Sequence, residues 1–109
     1  MIDAPSVHPE EHLDWHDYRT FEVVYVTDDD TGLLGAVRRN GESEKIPSAG
    51  DVMEEALVGA VFRGSTLRDA LAEILNTELA ETPVVDERGR LVGRITMAEI
   101  YSATPRRIV

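Results

Sequence analysis

The chain has 109 residues, no cysteine, 42% apolar residues and a formal net charge of −10. That length suits one domain or two half-size repeats sharing a core, and the absence of cysteine excludes disulfides, thiolate metal sites and a thiol nucleophile. The acidity argues against nucleic acid and anionic lipid as partners, whose phosphates need Lys and Arg to displace counterions, and is most simply read as solubility.

A small anion is still compatible with this charge, because backbone amides and one or two arginines can build a local positive site. No run approaches the ~18 to 20 apolar residues of a membrane span. Met1–Glu10 has neither the basic start nor the apolar core of a secretory signal, and a cytoplasmic protein is expected.

In chain order, Met1–Val7 reads as a loose end. Pro9–Arg19 reads as a short helix, with Pro9 at the first helical position and Glu10 and Glu11 in the first turn. It buries little beyond Leu13 and Trp15. His8, His12 and His16 stand four apart, so a helix would put His12 and His16 on one face, with Glu11 or Asp14 as an oxygen ligand for zinc or nickel. A solvated terminal helix has the same pattern, and no metal site is assigned.

Phe21–Thr27 is a strand by composition. Asp28, Asp29 and Asp30 form an acidic turn closed by Gly32, without the alternating ligand spacing of a calcium loop. Leu33–Val37 is the return strand. Arg38–Gly50 is a polar connection, Asp51–Leu57 a short helical turn and Val58–Phe62 a small apolar strand. Ser65 or Thr66 then opens the clearest helix, in which Leu67, Ala70, Leu71, Ile74 and Leu75 line one buried face.

The last stretch organises the rest. Pro83–Asp86 is a buried strand, Gly89 sits in a turn, Leu91–Ile95 returns, and Thr96 with Glu99 forms a capping box that opens a helix running to Pro105. This repeats the earlier hairpin at an offset of 58: Val26 falls on Val84, Asp28 on Asp86, Leu33 on Leu91, Gly35 on Gly93 and Val37 on Ile95. Arg38 and Gly41 stand where the second copy has Thr96 and Glu99, so the first copy lacks the capping box.

Val52-Met53, an apolar strand, Ser65-Thr66-Leu67 through Leu71, Pro83-Val-Val-Asp86 with Gly89 and Gly93, and Thr96-x-x-Glu99 together resemble a cystathionine-beta-synthase (CBS) domain. The resemblance implies an α+β fold of tandem CBS repeats, each a small sheet with packed helices. Residues 1–50 would form a partial or degenerate first repeat, with its first strand absent, and residues 51–109 a near-complete second one. It also implies a regulatory Bateman module rather than an enzyme, binding AMP, ADP or ATP and acting on a partner. The regulatory tail of an osmoprotectant transporter ATPase is one such setting. The chain itself has no Walker A loop, so that ATPase would lie elsewhere.

By the same resemblance Thr96 meets phosphate, Glu99 stands where the family usually has an Asp for the ribose hydroxyls, Ala60 and Val61 contact the base, and Pro83 and Val84 line the pocket. Arg94 is close in sequence and adds charge. The competing function is a dimerisation or interaction module without a small-molecule ligand, favoured by the reduced first copy and by Glu99. A nucleophile beside a base, or a metal with an open position, is not recognisable in the chain, so an enzyme is not expected.

Overall fold

The computed structural model describes residues 1–39, 48–54, 60–77 and 79–103. Two three-stranded sheets form its frame. β1 (Ser6–Val7), β2 (Val23–Thr27) and β3 (Leu33–Arg38) make the first; β4 (Val61–Phe62), β5 (Glu81–Val85) and β6 (Leu91–Thr96) make the second. In each, the short leading strand runs parallel to the central strand and the third returns antiparallel through a tight hairpin. Among the described residues three helices accompany them: α1 (Ala49–Val52), α2 (Leu67–Thr77) and α3 (Met97–Ala103). The α+β architecture expected from the sequence is the one observed.

The repeat is reproduced bond for bond in the two turns. Asp28 Oδ1 accepts the N–H groups of Asp30 and Gly32 at 2.9 and 2.8 Å, and Asp86 Oδ1 accepts those of Arg88 and Arg90 at 2.9 and 3.0 Å. A short aspartate suits this role because its carboxylate reaches its own backbone two residues on. The residue two places before the return strand has positive φ in both copies, +64° at Thr31 and +77° at Gly89. Gly32 closes the first turn as expected, its carbonyl accepting the Asp28 N–H at 2.9 Å, and it leaves room for the Asp28 carboxylate, which a Cβ there would approach to 2.7 Å.

β2 is buried along its length because it has a core on each side. Val24 and Val26 pack with Val7, Leu13, Val37 and Ala49, while Val23 and Tyr25 turn the other way, onto Ala36 and towards Leu79 and Leu91 of the second repeat. The second sheet is covered by α2 and α3, with Ala70, Ile74 and Ile100 against Val61 and Val84. Thr66 caps α2 reciprocally with Asp69, at 3.2 Å in each direction.

The first repeat departs from expectation in two places. A first strand is present: Ser6 pairs with Tyr25 and Val7 with Val26, and buried Val7 plays the part of Val61. The helix expected over Pro9–Arg19 reduces to a 3-10 turn, Trp15–Tyr18. Its backbone is used otherwise, since the carbonyls of Pro9 and Glu11 accept the N–H groups of Gly50 and Ala49 at the start of α1, both at 2.8 Å. Arg39 fixes the turn by donating to the Tyr18 and Phe21 carbonyls and stacking on Trp15, 4.6 Å from its ring centre.

The repeats also exchange their leading segments. Glu54, which precedes the second sheet, bridges to Ala36 on the edge of β3; Ile2, which precedes the first, bridges to Arg94 on the edge of β6. Met53 packs on Gly35 as Met1 packs on Gly93. The hairpin turns meet as well, with Gly32 bridging Arg90. The remaining part of the expected Val58–Phe62 strand, the connection around Gly41 and the chain beyond Ala103 lie outside the described residues.

Candidate functional site

The junction between β6 and α3 carries the expected capping box. The Thr96 N–H donates to Glu99 Oε1 at 3.1 Å, and the Glu99 N–H donates to Thr96 Oγ1 at 3.2 Å. Two otherwise orphaned helix donors are thereby satisfied. The second Glu99 oxygen lies 2.6 Å from the amino group of Met1. Burial alone would raise the Glu99 carboxyl, but that amino group and the Thr96 N–H outweigh it and hold it below its ordinary value.

At the start of β6, before the strand reaches this junction, lies a cleft of about 200 Å³. Leu91, Val92 and Gly93 of β6 form one wall, Asp3, Ala4 and Ser6 another, and Thr27 and Thr31 of the first hairpin close the end. The site is therefore composite, with both repeats contributing. Its polar groups are hydroxyls and one carboxylate, while β6 supplies the apolar surface. A Cβ at Gly93 would stand 2.8 Å from the Ile2 carbonyl, so glycine is what lets the leading segment lie against β6 here.

The expected residues fall into two groups. Pro83 stands opposite Arg94 in the β5–β6 register, and Thr96 and Glu99 follow on the same chain path. Val61 and Val84 are paired and buried in the helix-side core, with Val61 two strands from β6 and half-buried Ala60 just before it. At the cleft wall it is Ser6, the counterpart of Ala60 in the first repeat, that is present. Arg94 is engaged: Nη1 donates to Glu81 Oε1 at 3.0 Å, Nε to the Asp3 carbonyl at 2.9 Å, and the guanidinium lies 5.1 Å from the Phe21 ring centre.

Glu81 is the residue that sequence reasoning missed. It is buried, bonds Arg94 through one oxygen and accepts the Tyr25 hydroxyl through the other at 2.7 Å. The strand expected from the sequence begins at Pro83, whereas β5 begins two residues earlier, at Glu81. In the first copy Arg38, at the Thr96 position, pairs with Glu54 at 3.4 Å. His12 and His16 share no helical face: His12 bridges to Ser48 and His16 lies in the 3-10 turn. Among the described residues, metal-competent side chains converge instead at His8, Glu10 and Asp29 on the surface.

Two interlocked sheets, each a short parallel strand plus a hairpin, with a capped helix leaving the last strand, define a CBS domain pair. The chain belongs to the CBS domain family, whose model matches residues 49–106. Among solved structures it is similar to OpuCA of Staphylococcus aureus, at 27% identity and a TM-score of 0.72 over 94% of this chain and 92% of that one. It also resembles CBSX2 in complex with AMP (23% identity, TM-score 0.72, covering 92% and 86%). The cytosolic domain of the Mg2+ channel MgtE in complex with ATP matches at 18% identity and a TM-score of 0.74, over 93% of this chain but only 45% of that structure. No curated protein matches the sequence.

Proposed function

We propose that the chain is a regulatory module that binds an adenine nucleotide in the cleft beside β6 and passes its occupancy to a partner. The observation that carries this reading is the composite cleft of a CBS pair, walled by the start of the same strand that leads into the Thr96–Glu99 junction. Relatives of the same fold are described in complex with AMP and with ATP, which supports the ligand class. In this reading residues 1–50 and 51–109 are the two repeats, and Thr96 meets phosphate. Glu99 faces the ribose, whereas Val61 and Val84 pack in the helix-side core, and neither they nor Ala60 and Pro83 line the cleft. Arg94 acts through Glu81 and Asp3, which it already holds, more than as a free phosphate partner.

The module is read as non-enzymatic and cytoplasmic, and the likeness to OpuCA makes a transporter ATPase the first effector to test. Among the described residues no helix is long and apolar enough to cross a membrane. The test is calorimetric titration with AMP, ADP and ATP, with and without magnesium. Saturable binding near one ligand per chain supports the reading; silence at millimolar ligand rejects it.

A second reading, a self-pairing interaction module, is favoured by the apolar side chains left exposed on the helices: Leu67 and Leu75 of α2, Met97 and Tyr101 of α3. A homodimer through these helices is the expected form. Sedimentation of wild type and Leu75→Glu distinguishes it, since a dimer lost on substitution supports the pairing and a monomeric wild type rejects it.

A further inference from the structure

We propose that Glu81 makes the nucleotide site selective for the least charged ligand, with AMP bound more tightly than ADP and ADP more tightly than ATP. This rests on the nucleotide reading above and narrows its ligand class. Arg94, two residues before Thr96, is the charged side chain of β6. Its guanidinium is committed elsewhere. Nη1 donates to Glu81 Oε1 at 3.0 Å, and the two side chains are only 14% and 6% exposed. Glu81 Oε2 accepts the Tyr25 hydroxyl at 2.7 Å, and Arg94 Nε donates to the Asp3 carbonyl at 2.9 Å. Turning Arg94 towards a phosphate strands a buried carboxylate oxygen, which is costly where water cannot replace the lost donor.

The first repeat shows the contrasting case. Arg38 and Glu54 also pair, at 3.4 Å, but their side chains are 44% and 43% exposed, and such a pair changes partners at little cost. Around β6 the balance of charge is negative. Three carboxylates, on Glu81, Glu99 and Asp3, stand against two positive groups, Arg94 and the amino group beside Glu99. Glu99 is held below its ordinary value and is therefore ionised at neutral pH. A first phosphate can be met by the Thr96 hydroxyl, which is neutral. Each further phosphate adds negative charge where carboxylates are already in excess. Like charges about 10 Å apart near a protein surface repel enough to change affinity about two- to tenfold.

Glu81 touches no ligand here; it is a positioning residue that acts by holding and neutralising Arg94. The experiment titrates the full chain, as wild type, Glu81→Gln and Asp3→Asn, with AMP, ADP and ATP at low and high salt, without magnesium. In wild type at low salt AMP should bind about fivefold or more tighter than ATP, and salt should narrow the gap. Glu81→Gln leaves the Arg94 charge without its counter-charge and should raise ATP affinity about fivefold relative to AMP. A purely structural Glu81 would weaken all three ligands alike. Asp3→Asn, at an exposed residue, should move the same ratio in the same direction without touching the core. ATP bound as tightly as AMP by the wild type overturns the selection and leaves the nucleotide reading standing, as does a ratio that neither substitution moves. Failure of all three proteins to bind any of the ligands overturns the reading and the selection with it.

Discussion

Tyr25 of the first sheet donates its phenolic hydrogen to Glu81 Oε2 of the second at 2.7 Å, and Glu81 Oε1 in turn holds Arg94. This chain of bonds runs through the interface between the repeats and has no counterpart in the pseudo-symmetric positions, where Val23 stands for Glu81 and Ala36 for Arg94. Its members are buried or nearly so, which makes each loss expensive.

Tyr25→Phe removes a donor to a buried carboxyl and should cost about 1–3 kcal/mol at neutral pH, read by urea unfolding. The wild type should also lose stability in alkali. Burial first, and then Glu81, raise the Tyr25 hydroxyl far above its ordinary value of 10.0. The contribution is therefore complete below pH 10 and falls as pH rises beyond it, because only the unfolded chain ionises. Tyr25→Phe should flatten that decline; an unchanged alkaline profile would assign it to other groups.

The Glu81–Arg94 pair predicts a non-additive pattern. Glu81→Leu alone strands a mostly buried guanidinium and should cost about 3–5 kcal/mol, whereas Glu81→Leu with Arg94→Met should recover most of it. Denaturant midpoints of the two singles, the double and the wild type complete the cycle. Equal losses in the single and the double would show that the pair is not acting as a unit.

Thr31 is β-branched yet sits at φ +64°, where the second repeat has Gly89. Thr31→Gly should relieve that conformation and raise stability by about 1 kcal/mol. Thermal unfolding checks the sign, and a lowered midpoint would mean that the Thr31 hydroxyl, which donates to the Asp30 carbonyl, outweighs the backbone gain.

Asp86 is held below the usual carboxylate range, first by the Arg90 N–H, with the Arg90 guanidinium and the Arg88 N–H adding to it against the effect of burial. A depressed carboxyl stabilises the fold above its unfolded value, near pH 4, and that contribution disappears as pH falls through the folded value. Asp86→Asn should leave stability less dependent on pH below about 4. Parallel acid titrations of the two proteins, followed by circular dichroism, would separate; superimposable curves would contradict the assignment.

Thr96→Ala breaks the box that closes the β6–α3 junction and should cost about 1 kcal/mol. If nucleotide phosphate meets Thr96, affinity falls too. A folded Thr96→Ala protein with wild-type affinity would leave Thr96 a cap only.

Much of this architecture was legible in residue order. The two Asp-turn hairpins, the Ala70–Ile74 part of the helix face and the Thr96–Glu99 box follow from local rules: a side chain reaching its own backbone, a helical period, a reciprocal cap. These act within a few residues, so sequence alone suffices; Leu67 and Leu75, expected on the same buried face, are exposed. The family resemblance added the expectation of paired repeats; the family model itself matches one span, residues 49–106.

What the local rules missed was decided at a distance. Ser6–Val7 is too short to declare itself and is a strand because β2 offers a parallel edge. Pro9–Arg19 has helix-start chemistry, but its carbonyls bind α1 from the other end of the repeat. Glu81 has no local signal that marks it as buried, and it is buried because Tyr25 and Arg94 arrive to satisfy it. The cleft itself joins Asp3, Thr27 and Gly93. The sequence by itself determined the two hairpins, the long helix and the capped junction, since each is stabilised by neighbours along the chain. The exchange of leading segments, the buried Tyr25–Glu81–Arg94 connection and the shape of the cleft were settled only by tertiary structure, because they depend on which distant groups are present to satisfy a buried donor, acceptor or edge.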